Sequence, residues 1–337
     1  MGLGPRGWHL SEGKNLLLLK PRGFCAGVVR AIDIVRIALE TFGAPIYVRK
    51  EIVHNRFVVE ELQQKGAIFV DSVEEVPAGE RVIYSAHGVS PEVRDASKHR
   101  KLRVIDATCP LVTKVHVEAV KFAKEGYSLI LIGHRDHDEV IGTLGEAPAV
   151  TQVVGSVEEV ENIHVPDPER VAYLTQTTLS LDETRGIIAA LKAKFPKIKG
   201  PAAQDICYAT ENRQTAVKQT SSKVDLLLVV GSDNSSNSKR LVEVARTLGT
   251  NSHLIENFRS ISAEWLDGVK TVALTAGASA PEILVEQVIE FLTGQGFTNL
   301  QEVEVMPENV RFGLPPEIVE AVSTNPNSLV GIGSLAG

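Results

Sequence analysis

The chain has 337 residues, of which 43% are hydrophobic, and its formal net charge is −7 at pH 7. This length suffices for two or three domains with a sizeable buried core. The negative charge argues against broad nucleic-acid binding, which requires a basic surface. No apolar run is long enough to span a membrane, and the first residues lack the apolar region of a secretory signal. We expect a monomeric, cytoplasmic protein that binds neither nucleic acid nor membranes.

The chain contains three cysteines, Cys25, Cys109 and Cys207. So few cysteines, in an odd number, argue against a disulfide framework and favour a reducing compartment. Buried, unreactive thiols are the common alternative, because free cysteine often serves as a small core residue. The sequence around each cysteine must decide between a functional and a structural role.

Similar segments surround the first two cysteines. A short apolar strand leads into a turn that carries the cysteine, and an amphipathic helix follows. The helices are predicted from apolar residues spaced by three and four positions, which are Val28, Ile32, Val35 and Leu39 in the first helix and Val112, Val115, Ala119 and Phe122 in the second. Gly43 and Gly126 are predicted to end these helices. The third cysteine has a weaker strand before it and a helix with a weaker apolar face.

Two further apolar strands follow each cysteine, and both end in polar residues at similar distances along the chain. These residues are His54, His137 and Asn237 after the first strand and His87, Thr177 and Ser279 after the second. We therefore predict an α/β protein of three similar domains with small, mostly parallel sheets, spanning residues 15–108, 109–206 and 207–295. Residues 1–14 are predicted to be a disordered N-terminal extension, and residues 296–337 a C-terminal segment with a flexible tail.

A pseudo-threefold arrangement of such domains would bring the three cysteines to one point, where their thiolates form a metal site. Structural zinc takes four protein ligands, usually with a close cysteine spacing that this chain lacks. An iron–sulfur cluster is also held by thiolates, usually four, and with three ligands one iron keeps an open coordination position. Each cysteine is also predicted to lie at a helix N-terminus, which favours a thiolate. The residues alone leave both metals open.

The polar strand ends supply side chains that can bind phosphate next to helix N-termini. They are His54, His87, His137, Ser235, Ser236, Asn237 and Ser279. Because no nucleotide-binding motif is present, we expect a small phosphorylated or diphosphorylated ligand. Thr177 is predicted to face these residues, and Glu139, two residues beyond His137, is a candidate proton donor.

The chain contains, in this order, the motifs PRGFCAGV, IVHN, SAHGVS, DATCPLVTKVH, TQTTLS, CYAT, GSDNSSNS and TAGASAPE. These long and specific motifs resemble those of the 4-hydroxy-3-methylbut-2-enyl diphosphate reductases, the last enzymes of the methylerythritol phosphate route to isoprenoids. The resemblance covers most of the chain, from about residue 15 to about residue 312.

The resemblance implies three α/β domains around one 4Fe-4S cluster that is held by Cys25, Cys109 and Cys207 and has one open iron site. It implies a diphosphate pocket at the histidines, serines and asparagine named above, with Thr177 near the substrate hydroxyl and Glu139 as proton donor. The reaction would be a two-electron reductive removal of the allylic hydroxyl, with electrons from a ferredoxin or flavodoxin. The products would be isopentenyl and dimethylallyl diphosphate. A C-terminal segment near VRFGLPPEI would return to the first domain.

Two positions depart from the family pattern. Asp138 stands between His137 and Glu139, where proline is more frequent, and Glu211 stands where threonine is common. Because like charges repel, Asp138 is predicted to raise the pKa of Glu139.

Two other classes of protein remain as alternatives. One is an electron carrier with a buried cluster, although a carrier needs no diphosphate pocket. The other is a three-domain hydrolase that uses zinc on cysteine and histidine.

Overall fold

The computed structural model describes residues 13–324. Almost all of the predicted N-terminal extension and most of the predicted tail therefore lie outside the described residues. The strands are β1 (Asn15–Lys20), β2 (Ile46–Arg49), β3 (Ala67–Val70), β4 (Arg81–Tyr84), β5 (Arg103–Asp106), β6 (Ser128–Ile132), β7 (Thr151–Val154), β8 (Val171–Thr175), β9 (Leu226–Val230), β10 (Asn251–Ile255), β11 (Thr271–Ala276) and β12 (Asn299–Glu304). The helices are α1 (Ala26–Phe42), α2 (Arg56–Gln64), α3 (Pro91–His99), α4 (Pro110–Lys124), α5 (Asp138–Glu146), α6 (Val157–Val160), α7 (Leu181–Lys194), α8 (Tyr208–Ser221), α9 (Ser236–Thr247), α10 (Glu282–Gly294) and α11 (Pro316–Thr324).

The strands form three small sheets in which every pairing between neighbours is parallel. Their orders are β10-β9-β11-β1-β12, β3-β2-β4-β5 and β7-β6-β8. The predicted α/β class with three small parallel sheets is thus confirmed. In each sheet the first strand after a cysteine helix has the second on one side and the third on the other. This shared order is the structural form of the repeat that the sequence contains.

The strand before each cysteine helix joins the sheet of the preceding repeat. The strand β5, before Cys109, pairs with β4, and β1, before Cys25, pairs with β11 of the last repeat. The prediction placed residues 15–20 in the first domain, and these pairings show that β1 instead belongs to the last sheet. Before Cys207 the predicted weak strand is reduced to one isolated bridge, between Lys199 and Ala172 of β8.

The helices predicted after the first two cysteines are confirmed as α1 and α4. Gly43 and Gly126 follow their ends with φ of +77° each, in the left-handed region that favours glycine. The helix after the third cysteine is α8, and eight of its residues are buried although its sequence shows little amphipathic contrast. Its buried face includes polar side chains, which explains why the apolar pattern is weak.

The core of the five-stranded sheet has an apolar layer on each face. Leu16 and Leu18 of β1 belong to a cluster that includes residues of α10, whereas Leu17 and Leu19 belong to one that includes residues of α8 and α9. Alternate residues of a strand point to opposite faces, and a parallel sheet covered on both faces reads as a continuous apolar run. The four leucines are therefore buried because β1 lies inside this sheet.

The chain divides into two compact units. The first comprises residues 13–25, Thr178–Leu181 and Ile206–Val310, and it contains the five-stranded sheet. The second comprises Ala26–Thr177, Asp182–Asp205 and residues 311–324, and it contains the other two sheets. Within the second unit α11 packs on α1, and Arg30 Nε donates to Gly313 O at 2.7 Å. Within residues 13–324, no helix is long and apolar enough to cross a membrane.

Candidate active site

The three predicted histidines lie together in the second unit. His54 and His87 follow β2 and β4, which are neighbouring strands, and His137 is the N-cap residue of α5 after β6. The rings of His54 and His87 are stacked, with centroids 3.9 Å apart. The ring of His137 meets both edge-on, at 5.4 Å from His54 and 5.8 Å from His87. The carboxyl ends of two sheets thus bring three imidazoles into contact.

Burial and mutual repulsion keep two of these imidazoles neutral. Burial lowers the pKa of His87 well below its usual value, and the charges of His54 and His137 lower it further. Burial, followed by His54 and His134, lowers the pKa of His137 to about 3. Since His137 Nδ1 accepts a hydrogen bond from Glu139 N at 3.2 Å, its neutral ring carries the proton on Nε2. His137 therefore presents an N–H donor.

Glu139 and Thr177, the predicted proton donor and its neighbour, are in direct contact. Glu139 is the second residue of α5, and its side chain is buried. Its carboxylate accepts two hydrogen bonds from Thr177, one from the backbone N at 2.6 Å and one from Oγ1 at 3.0 Å. Thr177, itself buried, follows β8, so neighbouring strands β6 and β8 position the two residues.

The pKa of Glu139 lies near neutrality. Burial raises this pKa to about 7, the hydrogen bonds from Thr177 oppose the rise, and the like charge of Asp205 adds to it. The sequence predicted that Asp138 raises this pKa, whereas in the structure the like charge that raises it is that of Asp205. A carboxyl group with such a pKa can hold and release a proton at physiological pH.

Asp205 is a buried carboxylate in the loop before α8. Its Oδ1 pairs with Lys114 Nζ at 2.7 Å, and its Oδ2 accepts a hydrogen bond from Thr175 N at 2.9 Å. These contacts hold Asp205 beside Thr175, the last residue of β8, which lies two positions before Thr177 in the chain. The lysine and the backbone N–H stabilise a charge that burial alone would disfavour.

Asp138 lies beside the histidines. One ligand atom each from His54, His87 and Asp138 lies within 4.8 Å of the others, a grouping that could hold a metal ion. For the alternative of a zinc-dependent hydrolase, this group is a specific candidate site, and it contains none of the cysteines.

Each of the three cysteines directly precedes a helix. Cys109 and Cys207 are the N-cap residues of α4 and α8, and Cys25 immediately precedes α1. None of the three forms a disulfide bond, and all three are partly exposed. Cys25 and Cys207 lie in the first unit and Cys109 in the second. Because helix N-termini favour anionic groups and iron–sulfur clusters take thiolate ligands, this donor set fits such a cluster.

A chain of hydrogen bonds links the two cysteines of the first unit. Asn237 Nδ2 donates to Thr210 Oγ1 at 3.2 Å, and Thr210 Oγ1 lies 3.2 Å from Cys207 Sγ. Asn237 Oδ1 accepts from Ala278 N at 2.9 Å, and Ala278 O accepts from Cys25 N at 3.2 Å. Since Thr210 Oγ1 accepts from Asn237, its own proton is available to the sulfur of Cys207.

The predicted serines gather at the start of α9. Ser235 is its N-cap residue, and Ser235 Oγ accepts hydrogen bonds from Ser238 N at 3.3 Å and from Ser279 Oγ at 3.5 Å. Thr178 Oγ1 donates to Ser236 Oγ at 3.0 Å. Hydroxyl groups around a helix N-terminus form a favourable site for an anion.

The sequence did not point to three residues of this site, Thr178, Thr210 and Asp205. Thr178 and Thr210 lie inside the motifs TQTTLS and CYAT, so their proximity to Thr177 and Cys207 was the available signal. Asp205 lies in a loop, and no local sequence pattern predicts that this loop contacts the end of β8.

Comparisons with known proteins show the family of this chain. The family model described as LytB protein matches residues 16–293. A 4-hydroxy-3-methylbut-2-enyl diphosphate reductase of Streptomyces coelicolor is 53% identical over 321 residues, which are 95% of each chain. A Burkholderia mallei protein, 4-hydroxy-3-methylbut-2-enyl diphosphate reductase 2, is 55% identical over 89% of this chain and 92% of its own.

A solved structure has nearly the same fold. It is the E-1-hydroxy-2-methyl-but-2-enyl-4-diphosphate reductase from Plasmodium falciparum, with a TM-score of 0.91 and 43% identity, covering 93% of this chain and 99% of that chain. The family match and these relatives show that the chain belongs to the LytB family, the family of the 4-hydroxy-3-methylbut-2-enyl diphosphate reductases.

Proposed function

We propose that this chain is an oxidoreductase that reductively removes the hydroxyl group of 4-hydroxy-3-methylbut-2-enyl diphosphate. The products are isopentenyl diphosphate and dimethylallyl diphosphate, and the reaction is the last step of the methylerythritol phosphate pathway. Membership of the LytB family supports the reaction. The observation that carries the mechanism is the buried Glu139–Thr177 pair, whose carboxyl group has a pKa of about 7.

The diphosphate is assigned to the hydrogen-bond donors at the strand ends. In the second unit these are the three imidazoles in mutual contact, and in the first unit they are the side chains around the start of α9. The proposed ligands are His54, His87, His137, Ser235, Ser236, Asn237 and Ser279. An anchored diphosphate would hold the reacting end of the substrate in one orientation, which converts an encounter into a positioned reaction.

The cofactor is assigned as one 4Fe-4S cluster with the ligands Cys25, Cys109 and Cys207. The support is the donor set, three cysteines that form no disulfide bond and that each precede a helix. When bound, the cluster would pass the two electrons from the donor protein to the substrate and would offer one iron that has no protein ligand.

Glu139 is assigned as the proton donor. The overall reaction breaks the allylic C–O bond, consumes two electrons and two protons, and releases the oxygen as water. Protonated Glu139 supplies a proton to the leaving hydroxyl, and Thr177 Oγ1, 3.0 Å from Glu139 Oε2, lies in position to relay it. The second proton is taken up by carbon, at one end of the allylic unit or the other, which accounts for two products.

The partners follow from the electron requirement. We propose that a ferredoxin or flavodoxin delivers the electrons and that the protein acts as a monomer in the cytoplasm. Cysteines that form no disulfide bond suit the reducing conditions of that compartment. Size-exclusion chromatography and reduction assays with each type of donor test these assignments.

Anaerobic purification, followed by iron and sulfide analysis and optical spectra with and without substrate, tests the proposal. The expected result is a brown protein whose spectrum changes on substrate addition and which, when reduced, forms both products by mass spectrometry. A colourless zinc protein would exclude the reductase. A cluster whose spectrum ignores the substrate, without turnover, would favour an electron carrier.

Two variants separate the proposed cluster from a metal at the histidines. Cys109→Ser should lose iron, whereas His87→Gln should retain iron and lose affinity for the diphosphate. The opposite pattern, metal lost with His87→Gln and kept with Cys109→Ser, would favour zinc at His54, His87 and Asp138.

A further inference from the structure

Arg213 is the largest fully buried side chain of the described residues, and it lies on α8, the helix that begins after Cys207. Its NH1 donates to Glu308 Oε1 and to Ala209 O, both at 2.9 Å. Its NH2 donates to Gly23 O at 2.8 Å. One guanidinium thus contacts the residue two positions before Cys25 and the residue two positions after Cys207.

Glu308 is the counter-charge that allows this burial. It lies between β12 and α11, and its Oε1 also accepts a hydrogen bond from Asn212 Nδ2 at 2.9 Å. A buried guanidinium without a partner is strongly disfavoured, so the position of Arg213 depends on Glu308. A segment distant in sequence from both cysteines therefore holds the arginine in place.

The backbone of the loop that carries Cys25 also donates hydrogen bonds to β11 and to the turn after it. Gly23 N donates to Ala276 O and Cys25 N donates to Ala278 O, both at 3.2 Å. Gly23 has φ of +66°, and a Cβ atom there would lie 3.2 Å from Ala280 O, so another residue would be strained. Arg213 supplies the bond between this loop and the first turn of α8, which Cys207 caps.

We infer that Arg213, held by Glu308, is a positioning residue that sets the Cys25 loop and the Cys207 end of α8 at the separation a shared cluster requires. The inference rests on the proposed function, because it concerns the cluster assigned there. The proposed function names only the three cysteines as holding the cluster. This inference adds that a stable cluster also needs the segment around Glu308.

The experiment measures iron release from anaerobically purified holoprotein to an excess of chelator. Glu308→Gln keeps the size of the side chain but leaves the arginine without a counter-charge. Arg213→Lys keeps the positive charge but has no planar fork to reach Gly23 and Glu308 together. We expect both variants to release iron about tenfold faster than the wild type, as for other residues that orient metal ligands, and to show an altered cluster EPR spectrum. If Arg213→Lys does not fold, Glu308→Gln carries the test.

Arg246→Gln is the matched control. Arg246 lies on α9 of the same unit and donates to Ser252 O of β10, which β9 and β11 separate from β1. Thermal unfolding of all cluster-free proteins shows how much stability each variant loses. Wild-type iron release and EPR spectra in Glu308→Gln, or equally fast release in Arg246→Gln, would overturn the inference. A wild-type protein that holds no iron–sulfur cluster would instead contradict the proposed function itself.

Discussion

The carboxylate of Glu139 accepts both the backbone N–H and the hydroxyl of Thr177, at 2.6 and 3.0 Å. Both bonds favour the ionised carboxylate, yet the pKa of Glu139 is raised to about 7, because burial outweighs them. The backbone bond holds the side chain in one orientation, and the hydroxyl can turn towards the carboxylate or towards a substrate. The pair therefore combines a fixed position with a proton that can leave near neutral pH.

Replacing Glu139 with glutamine tests the proton role. Glutamine keeps the size of the side chain and can accept from Thr177, but it cannot give up a proton to a leaving hydroxyl. We expect Glu139→Gln to retain iron and substrate affinity and to lose about 10²–10⁴-fold in kcat, the range for general acid catalysis. Iron analysis, substrate titration and turnover assays measure the three quantities. Near-normal turnover would remove Glu139 from the mechanism.

The pKa of Glu139 predicts how the rate depends on pH. Folding raises this pKa from its usual value of 4.5 to about 7, so in the folded protein the carboxyl group loses its proton as the pH rises through 7. A proton donor must be protonated, so kcat should be highest below about pH 7 and should fall above it. Steady-state rates across this range, with an electron donor whose supply is not limiting, measure this fall in kcat, which is the descending limb of the pH profile. A flat profile would contradict the assignment.

Thr177→Val removes one hydrogen bond to the carboxylate and keeps the backbone one. Because the hydroxyl bond lowers the pKa of Glu139, its loss should raise this pKa and move the descending limb to higher pH. Thr177→Ser, which keeps the hydroxyl, is the control and should leave the limb where the wild type has it. A limb that moves to lower pH in Thr177→Val would show that the hydroxyl does not stabilise the anion.

Asp138→Asn tests which nearby carboxylate, Asp138 or Asp205, raises the pKa of Glu139. Since Asp205 is the like charge acting on Glu139, removing the charge of Asp138 should leave the descending limb unchanged. The measurement is the same pH profile, with Thr177→Val as the variant that does shift it. A shift in Asp138→Asn towards lower pH would restore the prediction made from sequence.

Local sequence patterns predicted the elements and the kinds of residue at the site, but long-range pairing lies beyond them. The helices α1 and α4 follow from apolar residues at helical spacing, and the buried strand β1 follows from its leucines. Nothing in NLLLLK states that this strand pairs with β11 and β12, because parallel pairing depends on contacts between segments distant in sequence. Asp205 was missed for the same reason, since its bond to Thr175 N exists only in the folded chain.

The neutral histidines predict that diphosphate binding takes up protons. Burial and the neighbouring imidazoles lower the pKa of His137 to about 3 and that of His87 well below its usual value. A bound diphosphate brings negative charge beside these rings and favours their protonated form, so affinity should rise as the pH falls. Calorimetry with inorganic pyrophosphate, in two buffers with different ionisation enthalpies, measures the protons taken up.

His137→Asn is the informative variant for this linkage. Asparagine is a good N-cap residue and can accept the hydrogen bond from Glu139 N, but it cannot take up a proton. Proton uptake should therefore decrease in His137→Asn while α5 remains intact. As a control, His99→Asn should bind pyrophosphate and take up protons like the wild type. His99 Nδ1 bonds Asp95 O at the end of α3, and His99 takes no part in the ring contacts of His54, His87 and His137. Binding without proton uptake in the wild type would show that the imidazoles act only as neutral donors.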